Sequence, residues 1–197
     1  MKEEQMQIIP LGGLGEFGMN MMAIRYADDI LVIDAGLMFQ HDDLMGVDLV
    51  IPDFTYLLEN REKVHAIIVT HGHEDHIGAL SYMLKELPTP VYGTPLTLGF
   101  VRSRLAENGV LDQACLNHVA PRSALQFGDL HVEIIGMTHS IADSIGLAIT
   151  SPVGTIIHTG DFKLDQSPLN NSLTDYARLA HYGEKGVLAL LSDSTNS

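Results

Sequence analysis

Short apolar runs closed by glycine, aspartate or histidine recur along the chain: MQIIPL, AIRYA, DILVIDAG, HAIIVTHG, PVYG, HVEIIGMTH, GLAITS, GTIIHTGD and VLALLSD. Rich in β-branched residues and flanked by turn formers, they predict strands. AIRYADDILVID predicts a hairpin turning around Asp28 and Asp29, and GLAITSPVGTIIHT another turning through Ser151, Pro152, Val153 and Gly154. Helical periodicity appears in HIGALSYMLKEL, where Ile77, Leu80, Met83, Leu84 and Leu87 form one apolar stripe. A second helix is predicted in TPLTLGFVRSRLAENG, closed by Gly109, and a third in SLTDYARLAHYGEKG, with Ser172 or Thr174 as N-cap and Gly183 as terminator. Hairpins come first and helices are interleaved later. That order predicts sheets covered by helices, in the α/β or α+β class.

Composition narrows the picture without deciding it. The 197 residues fit one domain, or a large part of one, and 46% apolar against 18% charged is a globular balance. No apolar run approaches the roughly 20 residues of a membrane span. The opening MKEEQMQIIP lacks a basic segment followed by an apolar core, so the expectation is a cytoplasmic protein without a membrane partner. Cys115 is the single cysteine, which excludes an internal disulfide and a CxxC zinc knuckle. The net charge of -14 argues against a nucleic-acid surface within this chain, because phosphate neutralisation needs clustered Lys and Arg. Arg61 with Lys63, and Arg102 with Arg104, are the nearest approach to clusters. A surplus of acids is ordinarily a solvated surface, though some acids can await cations.

Gly13-Leu14-Gly15-Glu16-Phe17-Gly18 fits the GxGxxG pattern of dinucleotide folds, with Asp34 near the place of the ribose-binding acid. The context fails, because that motif must open a helix and MNMMAIRYADDILVID reads as a hairpin. The segment is read as a glycine-rich turn between strands, or a loop that brings backbone close to an active site.

The densest chemistry lies in THGHEDHIGAL, where His71, His73, Glu74, Asp75 and His76 follow the apolar run HAIIV. Neither a continuous strand nor a continuous helix brings His71, His73, Asp75 and His76 to one point. A strand ending at Thr70, a loop carrying His71 and His73, and a helix beginning near Asp75 would do so, with Gly72 permitting the tight path and Gly78 close packing. Two metals need more ligands than this stretch supplies. Asp34 in VIDAG, His139 in GMTHS and Asp161 in HTGDF each lie just past an apolar run. Any one alone reads as a cap or turn residue; together they form a consistent set. The resulting hypothesis gives one metal to His71, His73 and His139, a second to Asp75 and His76, and a bridging role to Asp161. Asp34 would orient a ligand histidine or a bound water. Glu74 is expected to face solvent, and His158 to be a core or supporting residue.

HxHxDH is the signature of the metallo-β-lactamase superfamily. Taken with LGGLGEFGMN, IDAGLMF, GVDLVIPD, THSIADSIGLAI, HTGDFKLD and LLSDSTNS, it makes nearly the whole chain resemble the bacterial ribonuclease J family of the β-CASP branch. The resemblance implies an αββα sandwich with two zinc or manganese ions at one edge, hydrolysing RNA as a 5′-to-3′ exonuclease and as an endonuclease in messenger decay and ribosomal RNA processing. It implies His71, His73, His139 and Asp161 around one metal and Asp75, His76 and Asp161 around the other. It further implies a calcium ion near Asp48, for which the plain alternative is a solvated turn. Family members complete the second metal with a distant downstream histidine, insert a β-CASP domain soon after DSTN, and dimerise through a C-terminal domain. Residues 1–197 are therefore expected to be the N-terminal part of a longer homo-oligomeric enzyme whose RNA contacts lie mostly elsewhere. Two cations would lower the pKa of a shared water from about 15.7 toward about 7, and the hydroxide would attack phosphorus. Asp75 or Asp161 would take the proton, with Asp34 in support. The rival expectations are a thioester or lactam hydrolase of the same fold, or a fragment that folds but holds metal weakly because a ligand is missing.

Overall fold

The structure is a computed structural model that describes residues 5–39, 46–168 and 172–194. The chain opens with an antiparallel meander: β1 (Met6–Gly12), β2 (Met21–Tyr26) and β3 (Asp29–Ile33). A two-stranded ribbon, β4 (Met38–Phe39) with β5 (Leu49–Val50), and the short helix α1 (Thr55–Glu59) follow. The next strand, β6 (Val64–Ile68), leads into a one-turn helix α2 (Glu74–Ile77) and then α3 (Leu80–Glu86). After β7 (Val91–Gly93), α4 (Pro95–Glu107) and β8 (Leu116–His118) the first sheet is complete, with β1, β2, β3, β6, β7 and β8 side by side. Its last three pairings are parallel.

The second sheet holds β9 (Ala124–Phe127), β10 (Leu130–Gly136), β11 (Ile145–Ser151) and β12 (Gly154–His158) as an antiparallel run. Helix α5 (Tyr176–Lys185) then crosses its outer face and returns the chain to β13 (Ala189–Leu191), parallel to β12.

Strand alternation builds the layers. In β3, Ile30 and Val32 pack with α3 and α4, where Leu80, Met83, Leu98, Val101 and Leu105 are buried. Their neighbours Leu31 and Ile33 face the other way, against Val132, Ile134, Leu147 and Ile149 of the second sheet. On that sheet's far side, Ile135, Ala148 and Ile157 meet Tyr182 and Leu179 of α5. Period-two side-chain geometry thus yields helices, sheet, sheet, helix: an αββα sandwich. Arg178 clamps α5 in place with a two-pronged ion pair to Glu133 of β10, at 2.6 Å for each nitrogen, and Tyr182 donates to the same carboxylate at 2.8 Å.

Local differences from the sequence expectation have identifiable causes. The first hairpin turns at Ala27 and Asp28, one residue early, with Ala27 in the left-handed region at φ 50°. Asp175, not Ser172 or Thr174, caps α5 by accepting from the Arg178 amide. Thr174 is withdrawn into the fold, donating to Thr138 Oγ1 and accepting from the Thr138 amide. Gly183 does not end α5, which runs to Lys185 before Gly186 takes a positive φ of 83°. The strands β8 and β9 and the helix α1 carry little sequence signal because each is short and weakly patterned.

Candidate metal centre

Register determines which strand ends meet. The parallel pair β3 and β6 aligns Ile33 with Ile68, so Asp34 and Thr70 leave the first sheet at one rim. In the second sheet Gly136 pairs with Ile145 and Leu147 with His158, so the segments carrying His139 and Asp161 emerge beside the start of β11. The rims are tied together where the Ile145 amide donates to the Thr70 carbonyl at 3.0 Å.

Six ligand-type residues converge there. His71 Nε2 lies 3.0 Å from His73 Nδ1 and 3.9 Å from Asp161 Oδ2. Asp161 also approaches His139 Nε2 at 3.6 Å and, through its other oxygen, His76 Nε2 at 3.3 Å. Asp75 Oδ2 is 3.6 Å from His76 Nε2. Two overlapping sets, His71 with His73 and His139, and His71 with His76 and Asp161, have ligand atoms all within 4.8 Å of one another. Imidazole nitrogens and carboxylate oxygens without thiolate are a donor set that suits zinc or manganese.

Asp34 lies beneath this group, buried and at a positive φ of 58°. One carboxylate oxygen accepts the Thr70 amide at 2.7 Å; the other accepts the Thr70 hydroxyl at 2.8 Å and His76 Nδ1 at 2.8 Å. Because the Thr70 hydroxyl spends its proton on Asp34, it accepts from His71 Nδ1 at 3.1 Å. An Nδ1 proton is thereby held on His71 and on His76, and both Nε2 atoms are turned toward the centre.

Burial pushes His71 down to about 2, helped by the neighbouring His76, so its imidazole is neutral. Burial also lowers His139. For His76 burial acts in the same sense but is outweighed by Asp34 and Asp161, which carry it up to about 10. Burial would raise Asp161, yet contact with His76, His71 and His139 brings it down to about 2. These shifts make the chelator-treated protein most stable near pH 6.5. Above that pH the contribution of His76 is lost progressively as its folded pKa of about 10 is approached. Below it the unfolded chain protonates His71 while the fold resists, and Asp161 adds its own loss as pH falls from 3.8 toward 2. Urea melts of the metal-free chain across pH 4–9 check this; stability rising steadily toward pH 9 contradicts it.

Glu74 does not face solvent as its place between the histidines predicts. It is half-buried instead, paired with Arg104 of α4, and its second carboxylate oxygen is buried with no hydrogen-bond partner. His158 faces the same cavity as Asp34 and Asp161, its Nδ1 accepting the Gly160 amide at 3.0 Å, and burial lowers its pKa. Asp48 is exposed at the entry to β5 and joins none of the ligand groups among the described residues.

The GxGxxG segment forms the turn between β1 and β2 and borders a cavity of about 640 Å³ shared with Asp34, Asp75, His76 and Asp161. Where it ends stands Asn20, a residue the sequence did not single out. Its amide nitrogen is 3.1 Å from His76 Nε2 and 3.3 Å from Asp75 Oδ2.

A family model described as "Metallo-beta-lactamase superfamily" matches residues 14–193. The chain belongs to the metallo-β-lactamase superfamily. Among named relatives of this metallo-β-lactamase chain, Ribonuclease J of Helicobacter pylori (strain ATCC 700392 / 26695) is 54% identical over 192 residues, covering 97% of the chain and 28% of the relative. Ribonuclease J of Synechocystis sp. is 50% identical over 196 residues, 98% of the chain and 31% of the relative. The chain thus spans about a third of the length of these curated relatives. The metallo-beta-lactamase fold protein YhfI of Bacillus subtilis superposes with a TM-score of 0.59 at 16% identity, over 83% of this chain and 65% of that one. That likeness carries the fold alone. No helix among the described residues is long and apolar enough to cross a membrane.

Proposed function

We propose that this chain carries the metal-binding rim of a ribonuclease that hydrolyses RNA phosphodiesters, both stepwise from the 5′ end and internally. The observation that carries the reading is the convergence of His71, His73, His76, His139 and Asp161, from three separate segments of the chain, on one rim of the sandwich. Kinship to proteins named Ribonuclease J supports RNA as the substrate. His71, His73, His139 and Asp161 would hold one zinc or manganese ion, and Asp75, His76 and Asp161 a second, with Asp161 shared. Bound there, such cations lower the pKa of water and polarise a phosphoryl oxygen.

The protein's own groups do the remainder. Thr70 engages Nδ1 of His71 and Asp34 engages Nδ1 of His76, which turns both Nε2 atoms toward the centre. Asp75, partly exposed, and Asp161 both lie beside His76 Nε2 and would be the carboxylates that take up the proton of the attacking water. Asp48 belongs to the proposal as a ligand of a structural calcium ion. RNA contacts from the remaining two-thirds of the longer protein, a homo-oligomeric assembly and a cytoplasmic location complete it.

The test uses the full-length protein, offered a 5′-monophosphorylated RNA oligomer and, separately, a synthetic thioester. RNA shortening that a chelator stops and Mn2+ or Zn2+ restores is the expected result. Thioester turnover with the RNA left intact overturns the reading.

A further inference from the structure

We propose that Asn20 is a positioning residue for one cation position, holding the Asp75 carboxylate and the His76 imidazole in the alignment a metal ion requires. The inference rests on the reading that these two side chains are ligands; it does not depend on which substrate is hydrolysed.

The backbone of Asn20 is seated without help from its side chain. Its amide donates to the Asp75 carbonyl at 3.0 Å, and its carbonyl accepts from Gly36 at 3.0 Å. The side chain is therefore free for another task. Its Nδ2 reaches the Asp75 carbonyl at 3.2 Å, Asp75 Oδ2 at 3.3 Å and His76 Nε2 at 3.1 Å. The last two are atoms of the kind a cation takes, so one side-chain amide spans both members of the proposed ligand pair while Asp34 engages His76 from its other ring nitrogen. A neutral amide is well suited to this place. It bridges the Asp75 carboxylate and the His76 ring and carries no charge that would compete with an arriving cation. The glycine-rich turn serves the same end. A Cβ at Gly13 would lie 2.7 Å from Asn20 Oδ1, so only glycine lets the loop close over this amide.

Substitution distinguishes this role from simple scaffolding by sign. In Asn20→Ala the ligand pair loses its tether, and affinity for the second equivalent of metal should fall about 10- to 100-fold, as when other outer partners of ligands are removed. In Asn20→Asp a carboxylate enters beside Asp75 and His76, so the second equivalent should bind more tightly. Mn2+ titrated into the metal-free full-length protein, followed by electron paramagnetic resonance, reads the affinities, and melting in chelator reads the fold. Affinity unchanged in Asn20→Ala, or shifted in the same direction by both variants, overturns the proposal. Because the probe is metal alone, loss of the ribonuclease reading leaves this outcome interpretable, and failure here with RNA cleavage intact removes only the role of Asn20.

Discussion

His73→Ala is expected to abolish RNA cleavage by the full-length protein and to leave its fold in place. His73 stands at the N-cap of α2 but makes no side-chain capping bond, so the start of that helix does not depend on the imidazole. The ring is half-buried, and its contacts are the imidazoles of His71, with ring centres 4.7 Å apart, and His139, at 5.1 Å. Removing it takes one nitrogen from a three-histidine set while the buried His71 keeps its partner Thr70. Loss of an outer-shell partner of a ligand already costs about 10- to 100-fold in metal affinity or activity, and loss of a ligand should exceed that. Bound metal, RNA cleavage and the unfolding midpoint should be measured on one preparation. Full cleavage by His73→Ala would remove this residue from the centre. A collapsed midpoint would make its role structural.

Gly36→Ala should do the opposite, damaging the fold first. The turn from Asp34 to Leu37 is laced to the metal-loop helix by backbone hydrogen bonds: Ala35 to the His76 carbonyl at 2.8 Å, Leu37 to Glu74 at 3.1 Å, and Ala79 back to Ala35 at 2.8 Å. A Cβ on residue 36 would sit 1.6 Å from the Asp75 carbonyl oxygen and 2.1 Å from its carbon. Both obstacles are backbone, so no rotamer change relieves the clash. Either the turn or α2 must withdraw, at a cost of about 1–3 kcal/mol by the usual range for overpacking, and toward its upper end because both obstacles are backbone. The natural control is Gly99→Ala in α4, where nothing lies within 4 Å of the added carbon. There the helix should gain up to about 1 kcal/mol. Equal urea midpoints for the two variants would contradict the packing described around Asp75.

Much of the cluster is legible in the chain because its ligand-type side chains are unusual residue types in a telling place. Four of them crowd into HGHEDH, and Asp34, His139 and Asp161 each follow an apolar strand. Asn20 left no such mark. An asparagine after a glycine-rich turn is ordinary, and only its distances to Asp75 and His76 give it meaning. The placement of Glu74 is not legible for a related reason: its partner Arg104 lies on another helix, and nothing local to THGHEDHIGAL announces that pairing. The cap of α5 went to Asp175 because Thr174, equally able to cap, was claimed by Thr138 across the fold.

By itself the sequence determined which segments pair with themselves or their neighbours, which faces are apolar, and where ligand-type side chains leave the strands. Those properties follow from short-range sterics and from a side-chain period of two or 3.6. Tertiary structure alone decided that β6 lies parallel to β3 and that the second sheet meets the first at Thr70 and Ile145, which brings His139 and Asp161 to the same rim as His71. The reason is physical: alternation tells a residue which side of its sheet to face, but the order of strands and the rim at which two sheets touch are set by packing the whole core at once.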